Sequence, residues 1–420
     1  VLSIFSIDKN RILSFMKNHT AIMTNGYLPQ MDGFRGLFCL FIVIIHLHYN
    51  YVNLPLSIGY LGMHGFFILS SYLITRGLLS DKKKATSFRH FFVSFYIKRI
   101  LRIFPVYFLY LAFAFVVGLM TAQTPYKSIL GIMYELKYFG WMLLSFTYNF
   151  KDLYALFSGL TYNKSLVFPH LWSLSLEEQF YFIVPYMVYF LSEKNIKRLT
   201  LMMIFLFPLI RIVGYQWLST LTDDTMLRSF IMYRCTMFQY DAFFYGALVA
   251  LFPISWSART LKWVFNVLLI LFILSIAGNG WYLHTTTGEA FFKIITHYDF
   301  MTRNGQYIYI DVLMNSLFVV FCYLSFRDSN YFSFLNNKTL VDIGGKTTYS
   351  MYVYQYIFII PTLLFVFPFL LEQLQIGRFA SELISMVLSV AGLLLLSHFS
   401  YITLETYFLK KKDYFLSKVN

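Results

Sequence analysis

The sequence predicts an all-α polytopic membrane protein, with about ten transmembrane helices, both termini cytoplasmic, and one further interfacial or re-entrant helix. Three observations predict it. Of 420 residues, 58% are hydrophobic, 21% aromatic and only 13% charged, about half the charged share of an ordinary soluble domain. Mean hydropathy is +0.60 over the whole length, so the apolar excess is global rather than one anchor. The net charge of +14 sits in Lys and Arg clusters between apolar runs, where such residues orient spans. Clusters so placed argue against nucleic acid as the partner of the basic charge.

Ten stretches reach the roughly 20 mostly apolar residues that a spanning helix needs: 34–53, 58–79, 103–122, 172–191, 199–218, 229–252, 261–283, 307–325, 348–371 and 381–407. Each is expected as helix, because lipid satisfies no exposed backbone group. A basic segment, 1–30, precedes the first span and carries Lys9, Arg11 and Lys17. It is placed in the cytoplasm, and no small-residue cleavage site marks it as a leader. The second span ends at Lys82-Lys83-Lys84, and Lys98, Arg99 and Arg102 follow, so loop 80–102 is inside. The third span exits outward. The fourth returns to Lys194, Lys197 and Arg198, so 123–171 starts and finishes outside. Within it, 129–148 carries Glu135 and Lys137 at its middle and is expected to lie at the interface or re-enter. The rest alternate: Asp223 and Asp224 outside, Arg259 and Lys262 inside, 284–306 outside, Lys338 and Lys346 inside, and 410–420 as a basic cytoplasmic tail. The transmembrane domain between, 31–409, shows no repeat, no low-complexity stretch and no appended soluble domain. Cys39, Cys235 and Cys322 all fall in apolar runs, with neither a disulfide framework nor metal spacing.

Ionisable groups inside spans are costly, so each is a candidate for function. Arg35 opens the first span, and His46 lies eleven residues on, about 16 Å deeper and about three turns round, hence on nearly the same face. A cation at the inner lip and an imidazole within the bilayer suit a transfer through the membrane; His46 also reads as a hydrogen-bonded packing residue. His48 is off that face. Arg99 and Arg102 are one turn apart, as inside anchors or as a phosphate clamp, since guanidinium binds phosphate bidentately. Glu177 and Glu178 lie in the outer end of the fourth span and point about 100° apart, so one is expected to face a site. Trp172 reads as a belt aromatic or a site residue. Arg234 and Asp241 are two turns apart in the sixth span, most simply as a structural pair. Tyr349, Ser350, Tyr352 and Gln355 of the ninth face inward.

Together these segments resemble the acyltransferase-3 family of bacterial membrane acyltransferases. The likeness rests on MDGFRG followed by His46, GMHGFFILSSYLI, KRILRIFPVY, WSLSLEEQFYFIVP, QYDAFFYGALVA, GGKTTYSMYVYQ and SYITLE, in that order over about 31–405. The resemblance implies O-acetylation of a cell-envelope glycan or glycolipid (lipopolysaccharide O-antigen, capsule or exopolysaccharide) from acetyl-CoA, at the bacterial inner membrane. It implies Arg35, His46 and Glu177 as catalytic residues, and Arg35, Arg99 and Arg102 as holding the donor. Trp172, Ser173, Tyr349 and Gln355 are expected around the acceptor, and no metal is expected. Some members carry a fused extracytoplasmic esterase-like domain; none is expected here. Three positions depart from the family: Ser70-Ser71 for Ser-Gly, Gln355 for a histidine, and Thr406-Tyr407 where a proline follows the last acid.

The expected chemistry has the arginines grip the donor phosphates at the inner face. The thioester then reaches His46, and that imidazole takes the acceptor's proton, with Glu177 orienting it from the outer half. Direct attack and an acyl-histidine intermediate both remain open. The competing class is a transporter or flippase for a lipid-linked glycan, which would be expected to show inverted repeats or paired broken helices.

Overall fold

The computed structural model describes residues 28–48, 57–160, 166–296, 300, 305–328 and 330–418, as helices joined by turns with no strand among them. Residues 1–27, including Lys9, Arg11 and Lys17, lie outside the described residues, as do 49–53 of the first expected span. The long helices are α1 (Pro29–His48), α2 (Ser57–Lys84), α3 (Phe88–Thr121), α4 (Ile132–Leu144), α5 (Lys151–Ser158), α6 (Leu171–Phe190) and α7 (Glu193–Leu221). They are followed by α8 (Thr225–Arg234), α9 (Asp241–Leu251), α10 (Ala258–Thr287), α11 (Tyr307–Arg327), α12 (Thr348–Pro361) and α13 (Arg378–Ser400). Six helices among the described residues are long and apolar enough to cross a membrane: Pro29–Leu47, Phe88–Thr121, Ala258–Thr287, Ile308–Arg327, Lys338–Gln373 and Arg378–Ser417. The outer surface fits that reading. On α10, Trp263 and Trp281 are 66% and 63% exposed, and their spacing puts them about 27 Å apart. That is close to a hydrocarbon core with an aromatic at each interface.

Three expectations are corrected. The basic motif at 98–102 is not loop: α3 starts at Phe88, where the Ser87 side chain accepts from the His90 amide, and runs unbroken through Pro105 to Thr121. Segment 338–347 is likewise helical, and passes through a π turn at Ile343–Thr347 into α12. The third correction concerns 229–252, which is not one continuous helix but α8, a short helix Thr236–Gln239, and α9. The break falls at Cys235, which is extended at φ −71°, ψ 135°. Side chains from other helices take the carbonyls a break leaves over: Arg211 Nε donates to Phe238 O at 2.8 Å, and Asn149 Nδ2 to Arg234 O at 3.4 Å. Backbone may leave the helix at membrane depth only where protein satisfies it so. Arg234 and Asp241 therefore do not share a face. Arg234 Nη1 pairs with Asp152 Oδ2 at 2.8 Å, and Asp241 pairs with Arg211.

The segment 129–148 becomes a one-turn helix, a left-handed Gly131 at φ 59°, and α4 of 13 residues. That is too short to cross hydrocarbon unaided. Its Glu135 is fully buried and paired with Lys151 Nζ at 2.5 Å, with the Tyr148 hydroxyl also donating to it.

Two helix pairs set the geometry of the centre. Along α1 and α12, Cys39 Sγ reaches Thr348 O at 3.7 Å and His46 Nδ1 reaches Gln355 Oε1 at 2.7 Å. Both partners advance seven residues together, so these helices run parallel. Likewise α2 and α6 run parallel, joined by Ser70 Oγ and Tyr181 OH at 2.6 Å and, further along both, by Lys82 Nζ and Val188 O at 2.8 Å. The apolar core is continuous around them.

Candidate functional site

The start of α1 is pressed onto the segment before α12. A Cβ added at Gly36 would lie 2.2 Å from Leu340 O, and one at Gly344 would lie 1.6 Å from Asp32 O. Only glycine permits backbones this close, and the approach fixes where Arg35 emerges. Its Nη1 lies 3.4 Å from Asp32 Oδ1. The side chain lines a cavity of about 170 Å³ walled by α2, α3, α6 and α12. Arg99 and Arg102, one turn apart on the N-terminal part of α3, line it too, as do Glu177 and Glu178 of α6.

Arg99 lies over the rings of Tyr181 (5.6 Å) and Phe95 (5.8 Å). Its Nε is buried with no hydrogen-bond partner. Among the described residues neither Arg99 nor Arg102 forms an ion pair, although two carboxylates share their cavity. Glu177 Oε2 instead accepts from Tyr181 OH at 2.9 Å. Arg99 is half-buried, with one buried nitrogen left without a partner, so this wall suits an anionic ligand.

At its other end the cavity is lined by Met63 of α2, Ser173 of α6 and Tyr352 of α12. Ser173 Oγ and Tyr352 OH are 2.5 Å apart, and the Tyr352 hydroxyl lies 2.7 Å from His170 O. Tyr349 lines the wall and donates to Ile103 O at 2.9 Å.

His46 does not line this cavity. It sits one turn beyond Tyr352, held by Gln355 and 5.5 Å from the Tyr356 ring. Gln355 Nε2 donates to Tyr352 O at 2.9 Å, so its Oε1 is the atom facing His46. An amide oxygen only accepts, hence Nδ1 carries the proton and Nε2 keeps the lone pair. Gln355, standing where relatives are expected to have a histidine, thus fixes the tautomer of His46.

The sequence reading expected Glu177 in the outer half, orienting His46. The structure brings it to the arginines, and Gln355 takes the orienting place. The reason is the level at which α6 begins. His170, just before it, stacks on Tyr356 at 4.9 Å and so is level with His46. From Leu171, Glu177 is about 9 Å along toward the basic end. Glu178 also lines the cavity, where one acid was expected, because α6 forms a broad wall between α2 and α12. Trp172 is neither a belt residue nor on the wall: it is buried against Tyr233 (4.7 Å) and Phe67 (6.1 Å). Between Arg35 and His46 on α1, Cys39, Ile42 and Val43 are packed in the core.

Sequence reasoning placed Tyr352 facing inward, where it lines the cavity, but missed Tyr181 and His170. His170 is a buried imidazole whose Nε2 lies 3.0 Å from Val353 O, and a polar residue at a span's start carries that signal.

The chain matches the family described as "Acyltransferase domain" over residues 28–398. It is 26% identical over 336 residues to the O-acetyltransferase OatA of Staphylococcus aureus, in strains NCTC 8325 / PS 47, COL and MRSA252 alike. The match covers 79% of this chain and 50% of each relative, so the chain spans about half the length of the curated relatives it matches. No solved structure matches it.

Proposed function

The chain belongs to the acyltransferase-3 family, and on that premise we propose that it is a multi-pass O-acetyltransferase of the bacterial inner membrane. It would take an acetyl group from cytoplasmic acetyl-CoA and place it on a hydroxyl of a cell-envelope glycan or glycolipid. The observation that carries the reading is the pair of guanidiniums, Arg99 and Arg102, which stand beside Arg35 in one cavity and form no ion pair among the described residues. Phosphates of a nucleotide-bearing donor are the natural partners of such a set. In this reading ten spans cross, residues 31–409 form the transmembrane unit, and both termini lie inside with the arginines.

The donor enters at Arg99 and Arg102. Its arm runs along α2 from Ile74 to Met63, about 16 Å at helical rise, toward Ser173 and Tyr352. The thioester then lies one turn from Gln355 and His46. The bonded Ser173–Tyr352 pair stands between this cavity and His46 and has to part for the step, in which the acceptor oxygen attacks the thioester carbonyl while His46 Nε2 removes its proton. The carbon–sulfur bond breaks, and the proton passes from His46 to the departing thiolate, giving free CoA and the ester. Glu177 and Glu178 set the charge of the donor cavity rather than orienting the base.

Membranes are incubated with radiolabelled acetyl-CoA and the candidate glycan. Wild type labels the glycan, and His46→Ala loses about 10²–10⁴-fold, the usual share of a general base. Unchanged transfer by His46→Ala would reject it as the base; transport of unmodified glycan without label would favour a flippase.

A further inference from the structure

Resting on the donor assignment above, we propose that Tyr181 is a positioning residue of the donor site: it holds Glu177 away from Arg99 and so keeps that guanidinium open to a donor phosphate. Glu177 and Tyr181 lie four residues apart on α6, one turn along the same face. Both line the donor cavity, as do Ser70 of α2 and Arg99 of α3.

The Tyr181 side chain meets the two charges with different parts. Its hydroxyl donates to Glu177 Oε2 at 2.9 Å. That leaves no proton for Ser70 Oγ, 2.6 Å away, so Ser70 donates to Tyr181. Its ring faces Arg99, whose guanidinium carbon is 5.6 Å from the ring centre. Phe95, one turn earlier on α3, gives Arg99 a second ring at 5.8 Å. The cation is thus seated on aromatic faces and the carboxylate on a hydroxyl, and among the described residues no ion pair joins them.

Without that hydroxyl, Glu177 is a half-buried acid in need of a donor. The guanidiniums of its own cavity are the strongest donors there. A carboxylate on Arg99 occupies the N–H groups that a phosphate would use, and has to be displaced before the donor binds.

The test is calorimetric titration of CoA into the full chain in detergent, run as a double-mutant cycle. Tyr181→Phe keeps the ring beside Arg99 and removes the hydroxyl. It is expected to weaken CoA binding at least about tenfold, the worth of a charge-assisted hydrogen bond that must first be broken. In the Glu177→Gln background the same change is expected to shift affinity by less than about twofold, since no carboxylate is left to release. A packing role for the ring, or a direct bond from its hydroxyl to the donor, costs the same in both backgrounds. Equal loss in the two, or no loss in either, overturns the proposal.

Ser70→Ala removes only the group that donates to the Tyr181 hydroxyl. It shows the same dependence on Glu177 at smaller size, about threefold, and it decides the matter should Tyr181→Phe fail to fold. Glu177→Ala replaces the amide should Glu177→Gln fail to fold. Wild type that binds CoA without coupling between Tyr181 and Glu177 leaves the donor site standing and removes the positioning role. Failure of wild type to bind CoA at all overturns both together.

Discussion

Arg211 is fully buried and Arg99 half-buried, and their surroundings differ as much as their exposure. Arg211 is completely buried among α2, α7, α9 and α11. It is ion-paired to Asp241 and lies 3.4 Å from Asp311, with Nε on Phe238 O at 2.8 Å. The two acids are tied further, Asp311 by Tyr60 OH at 2.8 Å and Asp241 by Asn315 Nδ2 at 3.3 Å, while His64 Nδ1 lies 2.9 Å from Asn315 Oδ1. Arg99 lines a cavity with carboxylates beside it and pairs with neither. The difference teaches what each charge is for. Charges that find partners within the protein hold helices in place. Charges held apart from available partners are kept for something that arrives.

The comparison breaks most visibly on stability. Removing Arg211 leaves two buried carboxylates without their cation, a loss of about 3–5 kcal/mol. Arg211→Leu is therefore expected to lower the unfolding midpoint in detergent sharply or abolish folded yield. Arg99→Leu relieves an unpaired cation and is expected to change stability by less than about 1 kcal/mol. Equal destabilisation by the two would erase the distinction.

Ligand binding is the mirror of that result. Each charge-assisted hydrogen bond to a donor phosphate is worth about 1.5–3 kcal/mol, so Arg99→Ala and Arg102→Ala should each weaken CoA binding by about 10- to 100-fold. Titration calorimetry on purified protein reads this directly, and the affinity should fall as salt rises. Wild-type affinity in both variants would show that these arginines are inside anchors only.

How far the sequence made this contrast legible depends on where each partner came from. Arg35, Arg99 and Arg102 were readable, because positive charge at a span's inner end is a local signal. The Arg211 cluster was not read, though Arg211 and Asp311 are ionisable residues inside apolar runs and the cost of such groups flagged them. Its partners lie 30 and 100 residues away, and nothing local names them. The break at Cys235 was hidden for the same reason. The run holds no proline or glycine there, and the carbonyls are claimed by Asn149 and Arg211 from elsewhere. Helix existence was legible nearly throughout. The level of Glu177 was not, since it depends on how the turns before α6 fold, and those turns have no repeating pattern to read.

A smaller effect separates the donor cavity from the base. Gln355→Leu removes one neutral hydrogen bond from His46, worth about 1 kcal/mol, and frees the imidazole to take the other tautomer. Turnover should fall by roughly fivefold, with CoA affinity unchanged. A loss of CoA affinity without a change in turnover would place Gln355 with the arginines instead.

The smallest effect calibrates the others. Glu193 and Lys197 pair at 2.6 Å at the start of α7, with the Glu193 side chain 65% exposed. The hydrogen bond from Lys197 holds that carboxyl below the usual carboxylate range. A depressed acid stabilises above its unfolded pKa, and the contribution fades as pH falls through the lower, folded value. Water screens so exposed a pair, and its worth is at most about 0.5 kcal/mol. Glu193→Gln should thus leave the unfolding midpoint nearly unmoved at pH 7 and slightly flatten its acid limb. A loss approaching that of Arg211→Leu would mean that pairing, rather than pairing away from water, is what anchors this fold.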